Sequence, residues 1–115
     1  MSSRELVRQE WVKLLDTFSR DFAGTMARLE VVGTGGAQHV IVDHMPFAGM
    51  TADLKDGEDS VVVSFAQGEN GVFDHTVSDV QNVSIDELNG RVARVEIASG
   101  DGTTTVFSLH DDSGK

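Results

Sequence analysis

Apolar residues recur with helical spacing near the start of the chain and with strand spacing afterwards, and the change of period falls at Gly24. Val7, Trp11, Leu14, Leu15, Phe18 and Phe22 stand at i, i+4, i+7, i+8, i+11 and i+15, which gathers them on one face of an α-helix. Ser2-Ser3-Arg4-Glu5 has the form of a capping box, so the spacing predicts a helix over about residues 3–23. Gly24 then supplies the left-handed residue that ends it. Asp16 precedes Arg20 by four positions, the favourable order for a pair on the polar face.

Beyond Gly24 the pattern alternates. Strands are predicted near residues 25–32, 38–44, 47–54, 60–66, 72–80, 91–98 and 103–109, with a further short one over 80–85. The expected inward residues are Ala27, Leu29, Val31, Met50, Ala52, Leu54, Val61, Val63, Phe65, Ala93, Val95, Ile97, Thr105, Phe107 and Leu109. Pro46 is expected to break the ladder, and Asp86-Glu87-Leu88 reads as a loop or a single helical turn. Turn chemistry punctuates the rest: Gly33-Thr34-Gly35-Gly36, Asp56-Gly57, Gly68-Glu69-Asn70-Gly71, Asn89-Gly90 and Gly100-Asp101-Gly102. Short connections favour antiparallel neighbours. The predicted fold is therefore α+β in one domain over 1–115: one N-terminal helix packed on a bent, mainly antiparallel sheet or partly open barrel of six to eight strands. Residues 111–115 form a polar tail.

Composition narrows the chemistry. The chain has 115 residues and no cysteine, which excludes disulfides and thiolate metal sites. Its formal net charge is −10, and the acid is unevenly placed. Residues 1–36 carry five basic and five acidic side chains, whereas 37–115 carry four basic and fourteen acidic ones. Such a strand region repels phosphate, so neither nucleic acid nor an anionic membrane surface is an expected partner. The opening MSSRELVRQEW has no apolar core of a secretory signal, and no apolar run approaches the roughly 20 residues that span a bilayer. A cytoplasmic location is the expectation.

The candidate sites carry little recognisable chemistry. Gly33-Thr34-Gly35-Gly36 resembles a phosphate loop only superficially, because a strand rather than a helix N-terminus follows. Three of the four histidines adjoin an aspartate, as in Asp43-His44, but neighbours in a strand point to opposite faces. His39, Asp43, Asp53 and His75 could share a cross-strand site, although metal sites need three ligands with oriented support. Asp53, Asp56, Glu58 and Asp59 make an acidic turn without EF-hand spacing. Ser19 has no nucleophile elbow. No catalytic residue, metal ligand or cofactor is predicted, and an enzyme is the less favoured class. Trp11, Phe18 and Phe22 are read first as the core face of the helix, and as a partner or dimer surface if the sheet leaves part of them uncovered.

Several stretches resemble a known family. Trp11-Val12-Lys13-Leu14-Leu15-Asp16-Thr17-Phe18-Ser19-Arg20, then Gly24 and Arg28-Leu29-Glu30-Val31, are similar to a family of short bacterial proteins classed only as a domain of unknown function. So are Pro46 to Asp53 and Ala98 to Thr104. The resemblance covers most of the chain and implies no activity, ligand or catalytic residue. A local likeness, Val80 to Asp86 with Gly90-Arg91-Val92, is to strands of the small PRC-type barrels, which serve as adaptor modules. The leading expectation is a non-enzymatic binding or assembly module acting through protein contacts, with a homodimer as one form. The alternative is a small-ligand or enzymatic domain using the mouth of the bent sheet, with His39, His44, Asp53 and His75 as its first residues. An Sm-like RNA binder fits the helix-then-strands order but not the charge.

Overall fold

The computed structural model describes residues 2–55, 57–88 and 91–109. In it the helix, α1, runs from Trp11 to Phe22 and starts eight residues later than the capping signal predicts. Ser2–Leu6 is instead a strand, β1, paired antiparallel with β6 (Val80–Leu88). The Ser3 hydroxyl donates to the Asp86 carboxylate on that partner, so it is not capping a helix. The start signal in use lies further along, where Glu10 Oε1 accepts from the Val7 N–H at 3.1 Å across a 3-10 turn at Arg8–Glu10. At the other end Ala23 N–H donates to Ser19 O at 3.1 Å, and Gly24 takes φ +92°. That left-handed conformation favours glycine, and it ends α1 as expected. Asp16 and Arg20 approach to 3.4 Å.

The other strands are β2 (Met26–Val32), β3 (Gln38–Asp53), β4 (Ser60–Ala66), β5 (Val72–Val77), β7 (Arg91–Ser99) and β8 (Thr104–Leu109). They form one sheet in the order β1-β6-β7-β8-β2-β3-β4-β5, antiparallel throughout and not closed, with α1 packed on it. The turns at Asp56 and Asn89-Gly90, and the tail 110–115, lie outside the described residues. Only two residues join β5, at one edge, to β6, the second strand from the other edge. Val77 and Val80 are thus at most about 11 Å apart, which forces the sheet to curl. Among the described residues no helix is long and apolar enough to cross a membrane.

Two expectations about the ladder fail. Pro46 does not break the ladder. β3 pairs with β2 as far as Pro46 and with β4 from Phe47 onward, so the missing N–H falls where the strand changes partners. A bulge between Phe47 and Gly49 and two irregularities against β2 take up the bend, with His44 at φ +67°. Asp86-Glu87-Leu88 is not a loop either, since it continues β6 against β7. Asp86 is tolerated there because Ser3 donates to its carboxylate and Arg94 Nε lies 3.9 Å away.

The core is one cluster in which helix and sheet meet through aromatic rings. Phe18 stands 5.5 Å from Phe47 and 5.6 Å from Phe107, and Phe47 and Phe107 are 4.8 Å apart. Phe65 reaches Phe107 at 6.2 Å. These offset and edge-on contacts suit ring quadrupoles. Val61, Val63, Phe65, Val95, Ile97 and Phe107 are wholly buried, as their alternation predicts.

One polar contact locks the helix to the sheet. Past Pro46, β3 has β4 on one side and α1 on the other. Met50 N–H donates to Ser19 Oγ at 2.7 Å, and the hydroxyl proton is shared between Met50 O at 3.0 Å and Leu15 O at 2.8 Å. Ser19→Ala strands both Met50 groups in a partly buried position and is expected to lower unfolding stability by about 1–2 kcal/mol. Urea unfolding at unchanged m-value checks this; a loss near zero contradicts it.

Candidate functional site

Two concave regions occur where α1 and its approach meet the sheet. The first is an open groove of about 710 Å³ at the seam, between the end of β1, the β3–β4 turn and the start of β6. Asp59 ties these segments together. Arg8 Nε and Nη2 donate to its two carboxylate oxygens at 2.6 and 2.9 Å, and Lys55 N–H donates to Oδ1 at 3.2 Å. Its carbonyl accepts from Val80 N–H at 2.9 Å. The Arg8 hydrogen bond is the main reason the Asp59 pKa lies below the usual carboxylate value. A carboxylate held in this fork is a brace rather than a proton acceptor. Along the same wall Asn82 Nδ2 donates to Glu5 Oε2 at 2.9 Å in the amide orientation that satisfies both groups.

The second groove, about 450 Å³, lies between α1 and the inner face of β1, β6 and β7. Leu14, Phe18, Phe22, Ile85 and Val92 line it, and Arg4, Thr17, Asp21 and Glu87 stand around them. Trp11 and Phe18 are each only 3% exposed, and Trp11 Nε1 donates to Leu6 O at 3.4 Å. Leu14 and Phe22 are half-buried, so the sheet leaves part of the helix stripe uncovered at this groove.

The sequence candidates are spread along the strands. His39 is exposed near the start of β3, opposite Val31. His44 is exposed in the bulge of the same strand. Asp53 lies at its far end, opposite Ser60, with Lys55 Nζ 3.5 Å away. His75 is half-buried on β5 opposite Val63, and burial pushes its pKa below the ordinary imidazole value. None of these four lines either groove. Among the described residues no three His, Asp or Glu side chains gather as a metal site would require.

Two arrangements had no signal in the sequence. Arg8 and Asp59 are 51 positions apart and meet only because the sheet curls. On the outer face, register aligns Ser3, Asp86, Arg94, Ser108, Arg28 and Asp43 in one row across six strands. Arg94 pairs with Glu96 at 3.0 Å and Arg28 with Glu30 at 3.2 Å. Each guanidinium group therefore has a carboxylate within ion-pair distance, while Arg28 Nε, buried, makes no hydrogen bond.

Titration separates the two perturbed groups. Asp59 has a folded pKa below its unfolded value, so its contribution to stability is present above about pH 4 and is lost as pH falls through the folded value. Asp59→Asn is expected to flatten that acid limb of the unfolding profile. His75 works in a higher window. Its folded pKa is depressed, so the unfolded chain takes up the proton first and stability declines as pH drops below about 6.5. His75→Gln is expected to remove that decline; an unchanged thermal-melt profile contradicts the assignment.

Comparison with known proteins adds kinship without an activity. A protein of Aquifex aeolicus (strain VF5), described as an uncharacterized protein, is 23% identical over 109 residues, which cover 95% of this chain and 93% of the relative. No solved structure matches the chain. The model of DUF5335, a family of unknown function, matches residues 2–114, in keeping with the resemblance carried by the Trp11–Arg20 and Pro46–Asp53 stretches, and the chain belongs to that family.

Proposed function

We propose that the chain is a non-enzymatic binding module acting through protein contacts, with the groove beside α1 as its contact surface. The observation that carries this reading is the anatomy of that groove. Half-buried Leu14 and Phe22 stand with Ile85 and Val92 at an apolar floor, and Arg4, Asp21 and Glu87 give a charged rim. Protein interfaces concentrate their energy in such apolar centres, which a polar border shields from water. The two acidic rim residues, on a chain of net charge −10, favour a partner whose border is basic. Braced Asp59 and the scattered histidines lend no comparable support to a catalytic reading.

Thr17 is exposed at the groove and Val12 is exposed on α1 away from it, so the two separate groove effects from helix effects. Affinity purification from the organism that makes the protein is expected to retain a partner with wild type and Val12→Arg. Thr17→Arg, with unchanged circular dichroism, is expected to weaken that retention at least about tenfold, the usual scale of a blocked interface centre. Equal retention by all three proteins contradicts the proposal.

A further inference from the structure

Among the described residues β5 is an outermost strand, bonded to β4 alone. The phase of that ladder decides which of its backbone groups point outward. Gln67 N–H donates to Gly71 O at 3.0 Å, one step beyond the Ala66–Val72 pair and in the same register. Hydrogen-bonded and non-bonded pairs alternate in an antiparallel ladder. Phe73, His75 and Val77 therefore bond to Phe65, Val63 and Val61, while Val72, Asp74 and Thr76 turn their N–H and C=O away from β4. The opposite side of β4 checks this phase. There it bonds β3 through Ser60, Val62 and Ser64, which turns Met50 outward, and both Met50 groups meet Ser19 Oγ. Met50 has a helix to satisfy it. Among the described residues, Val72, Asp74 and Thr76 have no second strand.

We propose that a second copy of this chain completes the β5 edge, antiparallel and with the two-fold axis at His75, so that one sheet runs through a homodimer. A row of outward N–H and C=O groups selects another extended strand as its partner. A two-fold axis normal to the sheet places residues of the same face opposite each other, and this restricts the registers. Centring on Asp74 sets two carboxylates opposite one another, which like charges disfavour. Centring on Thr76 runs past the end of β5 and shortens the overlap. Centring on His75 pairs the backbone groups of Asp74 with those of the partner's Thr76 and sets Phe73 opposite the partner's Val77. It also covers Phe73 and His75, which are half-buried. The one acid on the strand, Asp74, already accepts from Ser64 Oγ at 2.6 Å on the outer face.

The register makes the contact sensitive to acid. The two imidazoles face each other as a non-bonded pair, the closest cross-strand spacing, at about 4.5 Å between Cα atoms. β4 presents Val61, Val63 and Phe65 on that face, and Asp74 points to the other, so among the described residues of β4 and β5 no charge of either sign offsets a second proton. Burial already depresses the His75 pKa in the single chain. Protonating both rings therefore opens the dimer.

Light scattering after size exclusion, at about 100 µM and about pH 7.5, is expected to give twice the chain mass of 12.4 kDa. Thr76→Pro removes an N–H that the β4 ladder does not use, so it is expected to restore the single-chain mass with circular dichroism unchanged. Because the chain has no cysteine, His75→Cys is expected to form an intermolecular disulfide on mild oxidation, and Asp74→Cys is not. Lowering wild type to about pH 5.5 is expected to halve the mass. Thr17→Arg is expected to leave the dimer intact, which keeps this contact distinct from the groove beside α1. A monomer at neutral pH overturns the proposal, as does a dimer that survives Thr76→Pro or crosslinks through Asp74→Cys instead. A wild-type mass unchanged by acid overturns the His75 register.

Discussion

A strand that changes partners halfway along must find hydrogen bonds for the backbone groups it turns away at the crossing, and β3 sets that requirement for the whole protein. Its first half pairs with β2 and its second with β4, so the stretch after Pro46 has an unpaired flank inside the molecule. Buried peptide groups without partners are costly. Ser19 answers that cost at Met50, and Gly24 N–H answers it at Phe47 O, at 2.7 Å. The helix is thus more than an apolar lid. Its position is fixed by backbone groups that β3 cannot satisfy alone, and Phe18 then meets Phe47 and Phe107 at the distances that position dictates.

Curling the sheet around that helix brings its two ends close without joining them. The seam is held by the Arg8–Asp59 fork and by the bond from Val80 to the Asp59 carbonyl. These contacts join the approach to α1, the β3–β4 turn and the start of β6, yet β1 and β5 stay at the edges. The polar groups with the clearest geometry are consequently structural. What remains accessible is surface: the apolar groove where α1 leaves β6 and β7 uncovered, and the outward backbone of β5. Membership of DUF5335 is consistent with either use and specifies neither.

Much of this was legible in the residue pattern. A strongly amphipathic stretch from Trp11 to Phe22 and the alternating stretches after Gly24 became the helix and the strands β2 to β8, because burial on one face is what both periodicities report. The misreadings have physical causes. Ser2–Leu6 buries only Leu6 in the part whose side chains are described, so its strand character depends on the open flank of β6, a contact 83 residues away at Ser3–Asp86. Pro46 looked like a break because a lone sequence cannot show that the strand is between partners there. Asp86 looked like a loop residue because its hydroxyl donor, Ser3, is 83 positions away and its arginine, Arg94, reaches it only once β6 and β7 pair. The role of Ser19 was hidden for the same reason. For His75, the strand was legible but its hydrogen-bond phase was not, since phase depends on pairing with β4.

Residue-resolved amide exchange on dilute and concentrated protein tests the backbone phase and the open edge together. Phe73, His75 and Val77 are expected to exchange slowly at every concentration, as is Met50. Asp74 and Thr76 are expected to exchange fast when dilute and slowly when concentrated. Uniform protection along β5 at all concentrations, or fast exchange at Phe73 and His75, contradicts the account.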